Sequence, residues 1–190
     1  MQRRLLLTSL AMTAAFPGLA QDYSKVEMKT EKLNDTTYML VGAGGNIGLC
    51  VGEDAVFIID DQFAPLAPKI KAAIAAITSK PVQFLLNTHF HFDHTGGNEA
   101  FGRDGALIVA HDNVRRRMTT DQLITFIGAK QPASPKAALP VITVAAELSF
   151  HINGDEIRAA KPAADQDAAF GGGFIKPEQF VQMMLNAVPA

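Results

Sequence analysis

The stretch Val82–Asn98, VQFLLNTHFHFDHTGGN, passes from an apolar segment straight into three histidines and an aspartate within six positions. Its first half, VQFLLNTH, reads as a buried strand. If the chain stays extended beyond it, side chains alternate, so that His89, His91 and Asp93 point one way while Phe90 and Phe92 point the other. His94 follows where Thr95-Gly96-Gly97 turns the chain, and it faces a second point close to the first. Two adjacent ligand clusters of this kind suggest one or two bound metal ions. Imidazole nitrogens with a carboxylate suit Zn²⁺, and the same set also suits Fe or Mn. Histidines satisfied as ordinary surface or core residues are the plainer alternative, but packing alone does not explain such close spacing.

Working outward, PKIKAAIAAITSK upstream places Ile70, Ala73, Ile74 and Ile77 on one stripe, an amphipathic helix with lysine outside. Before it come TTYMLV (Thr36–Val41), NIGLCV (Asn46–Val51) and AVFIID (Ala55–Asp60), separated by GAGG and GED. Short apolar runs with tight glycine turns predict an antiparallel start. The helix then makes a strand–helix–strand unit that delivers the histidines to a strand end, where ligand sites of α/β sheets lie. Downstream, ALIVA (Ala106–Ala110) is a further buried strand, and HDNVRRRM opens a helix with Asp112 or Asn113 near its cap. GAKQPASPKAALP (Gly128–Pro140) reads as a surface loop. ELSFHINGDEIRAA is a hairpin turning at Asn153-Gly154, and the tail AAFGGGFIKPEQFVQMMLNAV reads as a glycine hinge and a closing helix.

With 190 residues, 48% hydrophobic content and a net charge of −2, one domain is the default, and no strong field points to nucleic acid or an anionic membrane. A small-molecule substrate is the expected partner. Residues 1–20, with Arg3 and Arg4 before an apolar run and small residues up to Ala20, have the pattern of a secretory signal peptide. Cleavage near Ala20 leaves a domain of residues 21–190, exported to the periplasm or secreted, with no membrane span. The lone Cys50 has no disulfide partner within the chain and reads as a small buried hydrophobe.

HFHFDH resembles the His-x-His-x-Asp-His signature of the metallo-β-lactamase superfamily, and TGGN after it, IIDD after the early strands and AHDNVRRRM one strand further on are similar as well. The likeness runs from about Thr30 to Ala160. It implies an α/β fold, the four-layer αββα sandwich, with metal at one edge. It also implies that His89 and His91 bind the first metal, and that Asp93 and His94 bind the second. Asp93 is the catalytic candidate among them. Asp60 resembles the carboxylate that orients a ligand histidine from behind, with an ordinary strand-end aspartate as the alternative. In such a site metal-bound hydroxide attacks the carbonyl of an amide, lactone, ester or thioester.

The family completes its site from the second half of the chain, where this sequence departs from the pattern. His111 is expected to cap or lie on the surface, and His151 is expected to be a plain strand residue. Aligning the proline of AKPAADQDAAFGGG puts Asp165 where a third histidine is expected; a solvated loop aspartate is the alternative. The strands carrying the remaining ligands are expected to be missing and the second sheet to be incomplete, which invites homodimerisation through exposed edges. Three readings follow: an exported zinc-dependent hydrolase, a truncated or degenerate relative with a partial metal site and little turnover, and an iron-dependent sulfur oxygenase on the same fold.

Overall fold

A computed structural model of the protein describes residues 22–124 and 128–160. The leader at 1–20, Asp165 and the closing helix of the tail lie outside the described residues. Strands β1 (Lys29–Lys32), β2 (Thr37–Val41), β3 (Ile47–Val51) and β4 (Val56–Ile59) pair antiparallel in that order. The antiparallel start is therefore as the glycine turns predict. Strand β1, KTEK, is exposed throughout and carries no apolar signal to read.

Helix α1 (Ala67–Ala75) crosses to β5 (Phe84–Asn87), which runs parallel to β4. Two short helices, α2 (Phe92–Thr95) and α3 (Asn98–Arg103), lead to β6 (Leu107–His111), parallel to β5. After α4 (Asp112–Met118) come a small ribbon of β7 (Gln122–Ile124) with β8 (Ala129–Gln131), and then β9 (Ile142–Val144), parallel to β6. One sheet of seven strands results, in the order β1-β2-β3-β4-β5-β6-β9. A separate hairpin is formed by β10 (Glu147–Ile152) and β11 (Asp155–Ala160).

The central strands are apolar without a break because both faces of the sheet are covered. Val56 and Ile58, with Ile47, Leu49, Leu85 and Ile108, pack under Ile70 and Ile74 of α1 and Phe101 of α3. The alternate positions Phe57, Ile59, Leu86 and Val109, together with Cys50, face Leu148, Phe150, Ile152 and Ile157 of the hairpin. Helices, large sheet and hairpin are thus three successive layers of the expected sandwich, and the second sheet is a single hairpin among the described residues. Cys50 is buried there as a small apolar residue. No helix among the described residues is long and apolar enough to cross a membrane.

The lysines of α1 are not simply solvated. Lys69 Nζ donates to the carbonyls of Tyr23, Ser24 and Val26 at 2.9, 2.7 and 2.6 Å, tying down the segment before β1. The hairpin turn is tied down as well. Asn153 and Gly154 both have positive φ, 57° and 80°, as a type I′ turn requires. Asn153 Oδ1 accepts from the N–H groups of Asp54 and Ala55 at 3.0 and 3.1 Å, and its Nδ2 donates to the Ala55 carbonyl at 2.9 Å. The turn between β3 and β4 has made room for it, since a Cβ on Gly52 would lie 2.4 Å from Asn153 Cγ.

Asn153→Ala leaves those backbone groups without their partners and is expected to destabilise the protein by about 1–3 kcal/mol. The urea midpoint reads this loss. Asn153→Gly, which relieves the left-handed backbone but restores no bond, should recover only part of it, and an unchanged midpoint in the alanine variant would refute the latch.

Candidate metal centre

The histidine cluster sits where the parallel strands β4 and β5 end. The chain does not stay extended there. Asn87 closes β5, His91 is extended at φ −64°, ψ 148°, and residues Phe92–Thr95 wind into one helical turn, α2. The N–H groups of His94 and Thr95 donate to the His91 carbonyl at 2.9 and 3.0 Å, and the Thr95 hydroxyl joins them at 3.1 Å. A tight turn rather than alternation therefore brings the polar side chains together. Phe90 is buried against Ala110, Val114 and Met118, while Phe92 lies beside the Phe63 ring, centroids 5.8 Å apart.

Two connections hold this turn. The N–H of Asp61 donates to the His94 carbonyl at 3.1 Å, that of Gly96 to the Gln62 carbonyl at 2.8 Å, and that of Gly97 to Asp61 Oδ1 at 2.8 Å. Gly96 allows this approach, because a Cβ there would lie 2.5 Å from the Ala64 nitrogen. Asn87 and Asn98, the two ends of the motif, exchange side-chain hydrogen bonds at 2.9 and 2.8 Å. Asn98 also donates to the Ala138 carbonyl at 2.9 Å. The loop is thus closed on itself by buried amides before any ligand is considered.

His89, His91 and Asp93 each offer a ligand atom, and these atoms lie within 4.8 Å of one another. His94 adjoins the group, its Nε2 3.5 Å from Asp93 Oδ2 and its ring centroid 4.0 Å from that of His89. On the other side, His94 Nδ1 is 2.7 Å from Asp60 Oδ2. Asp60 also accepts from the Thr88 N–H at 2.8 Å (Oδ1) and the Thr88 hydroxyl at 2.7 Å (Oδ2). It does so from a left-handed backbone, φ 60°, with Gln62 at φ 56° close behind. Side-chain-bearing residues held there store strain, which gathers at functional sites. The GAGG loop closes the far side, where a Cβ on Gly45 would fall 2.4 Å from His94 Cε1.

Burial, and then the neighbouring His94, hold His89 down to about 3, so its ring is neutral at ordinary pH. Burial lowers His91 as well. At His94 burial also opposes charge, but the Asp60 charge and hydrogen bond, with Asp93 behind them, outweigh it and raise the group from its ordinary value. Burial pushes Asp61 well above the usual carboxylate range; its Oδ2 is buried with no hydrogen-bond partner.

The sign of the His89 effect is definite. Between about 6.5, its value in the unfolded chain, and about 3, the unfolded state binds a proton that the folded state refuses. Its contribution to stability is complete above 6.5 and is lost as pH falls towards 3. Urea midpoints of the chelated protein at pH 7.5 and 5 should therefore converge in His89→Asn relative to the parent chain; an equal pH slope in both would refute the buried neutral ring.

Of the other expected residues, His111 caps α4. Its Nδ1 accepts from the Asn113 N–H at 3.1 Å, so the cap is His111 itself, just before the expected Asp112 or Asn113. Its Nε2 is 2.9 Å from the Ala145 carbonyl. His151 is exposed on β10, opposite Glu156. Neither joins the cluster, and Asp165 lies outside the described residues. Sequence reasoning passed over Thr88, Asp61, Gln62 and the Asn87–Asn98 pair. Their signal was polar residues closing apolar runs, at Asn87 after Phe84-Leu85-Leu86 and at Asp60-Asp61 after Ile58-Ile59.

A mixed sheet with helices on one face, a hairpin on the other and a histidine-rich turn at the ends of its parallel strands defines an α/β sandwich with a candidate metal centre at its edge. Residues 40–168 match the family model of the metallo-beta-lactamase superfamily, and the chain belongs to that superfamily. Solved structures share its fold. The subclass B3 metallo-beta-lactamase BJP-1 of Bradyrhizobium japonicum is 20% identical with a TM-score of 0.61, over 75% of this chain and 55% of that one. The di-zinc class B3 enzyme LRA-12 from an Alaskan soil metagenome is 17% identical with a TM-score of 0.59, over 74% of this chain and 54% of that one. A metallo-beta-lactamase of Cronobacter sakazakii is 17% identical with a TM-score of 0.60, over 68% and 51%. The chain spans about half the length of these solved structures.

Proposed function

We propose that this protein is an exported, zinc-dependent hydrolase acting on a small molecule with an amide, lactone, ester or thioester carbonyl. The observation that carries the reading is the convergence of His89, His91 and Asp93 within 4.8 Å, in a chain of the metallo-beta-lactamase superfamily. Two neutral imidazoles and a carboxylate are the donor set that zinc takes, and His94 adjoins them as a further ligand. When bound, the metal supplies Lewis acidity and lowers the pKa of coordinated water.

The chain's own residues prepare for this. His89, held neutral by burial, needs to lose no proton before it can ligate. Asp60 holds the Nδ1 side of His94, leaving Nε2 towards Asp93. The Asp93 side chain is 20% exposed, against 10% for His94 and 5% for Asp60. Asp93 is therefore the carboxylate a substrate can reach, which supports its catalytic assignment. The leader-like residues 1–20 support export.

A second reading is a partial metal site with little turnover, which would leave His111 and His151 apart from the cluster, as they stand here. One experiment separates the two. Zinc per chain is measured by elemental analysis after dialysis against trace zinc, followed by chromogenic amide, lactone, ester and thioester substrates. Bound zinc with turnover of one class supports the hydrolase; one equivalent without turnover supports the partial site; no bound zinc refutes both.

A further inference from the structure

We propose that Thr88 is a positioning residue that relays the Asp60 carboxylate to His89, so that one aspartate sets the tautomer of two histidines in the cluster. The inference follows from counting protons. A threonine hydroxyl has one hydrogen to give. Thr88 Oγ1 lies 2.7 Å from Asp60 Oδ2 and 3.1 Å from His89 Nδ1. An ionised carboxylate only accepts, so the hydroxyl hydrogen goes to Asp60. The Thr88 oxygen then has only lone pairs to offer His89, and Nδ1 must carry the ring hydrogen. That leaves the Nε2 lone pair of His89 free.

The same carboxylate acts directly on His94, whose Nδ1 is 2.7 Å from Asp60 Oδ2 and must likewise donate. Thr88 is itself held, since its N–H donates to Asp60 Oδ1 at 2.8 Å. Asp60 thus receives three hydrogen bonds, and the left-handed backbone at φ 60° aims it at all three donors. Position 88 needs a hydroxyl for this, beyond what its backbone supplies. A ring whose second nitrogen is hydrogen-bonded is fixed in orientation and is a stronger ligand. The tautomer part stands without any metal; only the affinity part rests on the metal-site reading above.

The test uses the full chain with ¹⁵N-labelled histidine, and long-range ¹H–¹⁵N spectra of the chelated protein to read each ring. His89 is expected as the Nδ1–H tautomer, and His94 is expected to carry a hydrogen on Nδ1 in either charge state. Thr88→Val keeps the β-branched shape without the hydroxyl; it should shift His89 towards Nε2–H, leave His94 unchanged, and weaken zinc binding in chelator competition by roughly 10- to 100-fold. Thr88→Ser should restore both properties, which a purely structural role of the side chain would not require. An Nε2–H tautomer at His89 in the parent protein overturns the relay whether or not the variants fold. So does a folded Thr88→Val protein that keeps the parent tautomer. Altered tautomers with unchanged zinc affinity would uphold the relay and count against His89 as a ligand, which separates failure of the metal reading from failure of this one.

Discussion

His91→Ala is expected to remove most of the zinc that the proposed centre binds, and the proposed hydrolysis with it. The imidazole is one of three groups whose ligand atoms lie within 4.8 Å, and its residue is only 8% exposed, so water fills the vacated position poorly. Losing a hydrogen-bond partner of a ligand typically costs roughly 10- to 100-fold in metal affinity, and losing a ligand itself costs more. Elemental analysis after dialysis against trace zinc measures the effect, with His151→Ala on the exposed face of β10 as the control. Full metal content in His91→Ala would remove this cluster as the metal centre.

Phe57→Ala carries the largest expected loss of stability, about 3–5 kcal/mol. Folded domains hold only about 5–15 kcal/mol in total, so the variant stands near the threshold of folding. Phe57 is fully buried, and its ring meets Phe150 edge-on with centroids 4.8 Å apart, while Phe84 lies 5.6 Å from the same Phe150. Truncation opens a cavity between the large sheet and the hairpin. Urea unfolding measures it, with Phe57→Leu as the milder comparison. A loss below about 1 kcal/mol would mean that the hairpin does not pack on this face.

Much of the fold was legible because its strands are short apolar runs punctuated by glycine. β2, β3 and β4 fall within the expected segments, and the Asn153-Gly154 turn lies where its residue types demand positive φ. Strand β1 escaped because its four residues are polar and exposed, and β9, Ile142–Val144, because it is three residues at a sheet edge directly after a proline-rich stretch. Neither hides an apolar face, so neither leaves a periodic trace; backbone pairing alone defines them.

The candidate site divides in the same way. His89, His91, Asp93 and His94 were visible because their chemistry is dense in sequence. The reason given for their convergence, an extended alternating segment, was not the one the fold uses: one turn of α2 gathers them instead. The roles of Thr88, Asp61 and the Asn87–Asn98 pair were not visible beyond polar residues closing apolar runs, since each acts through a partner distant in sequence or through burial.

The sequence by itself determined the candidate ligand types, the strand that carries them and the sandwich family, because these rest on residue chemistry and local periodicity. Only the tertiary structure decided how these candidate ligands are held. Asp60 and Thr88 are 28 residues apart and meet because β4 and β5 lie parallel, with Asp60 donating its N–H to Leu86 at the end of the neighbouring strand. The protonation of His89, His91 and His94 was decided there too, because burial and neighbouring charge are properties of packing and cannot be read from any one segment.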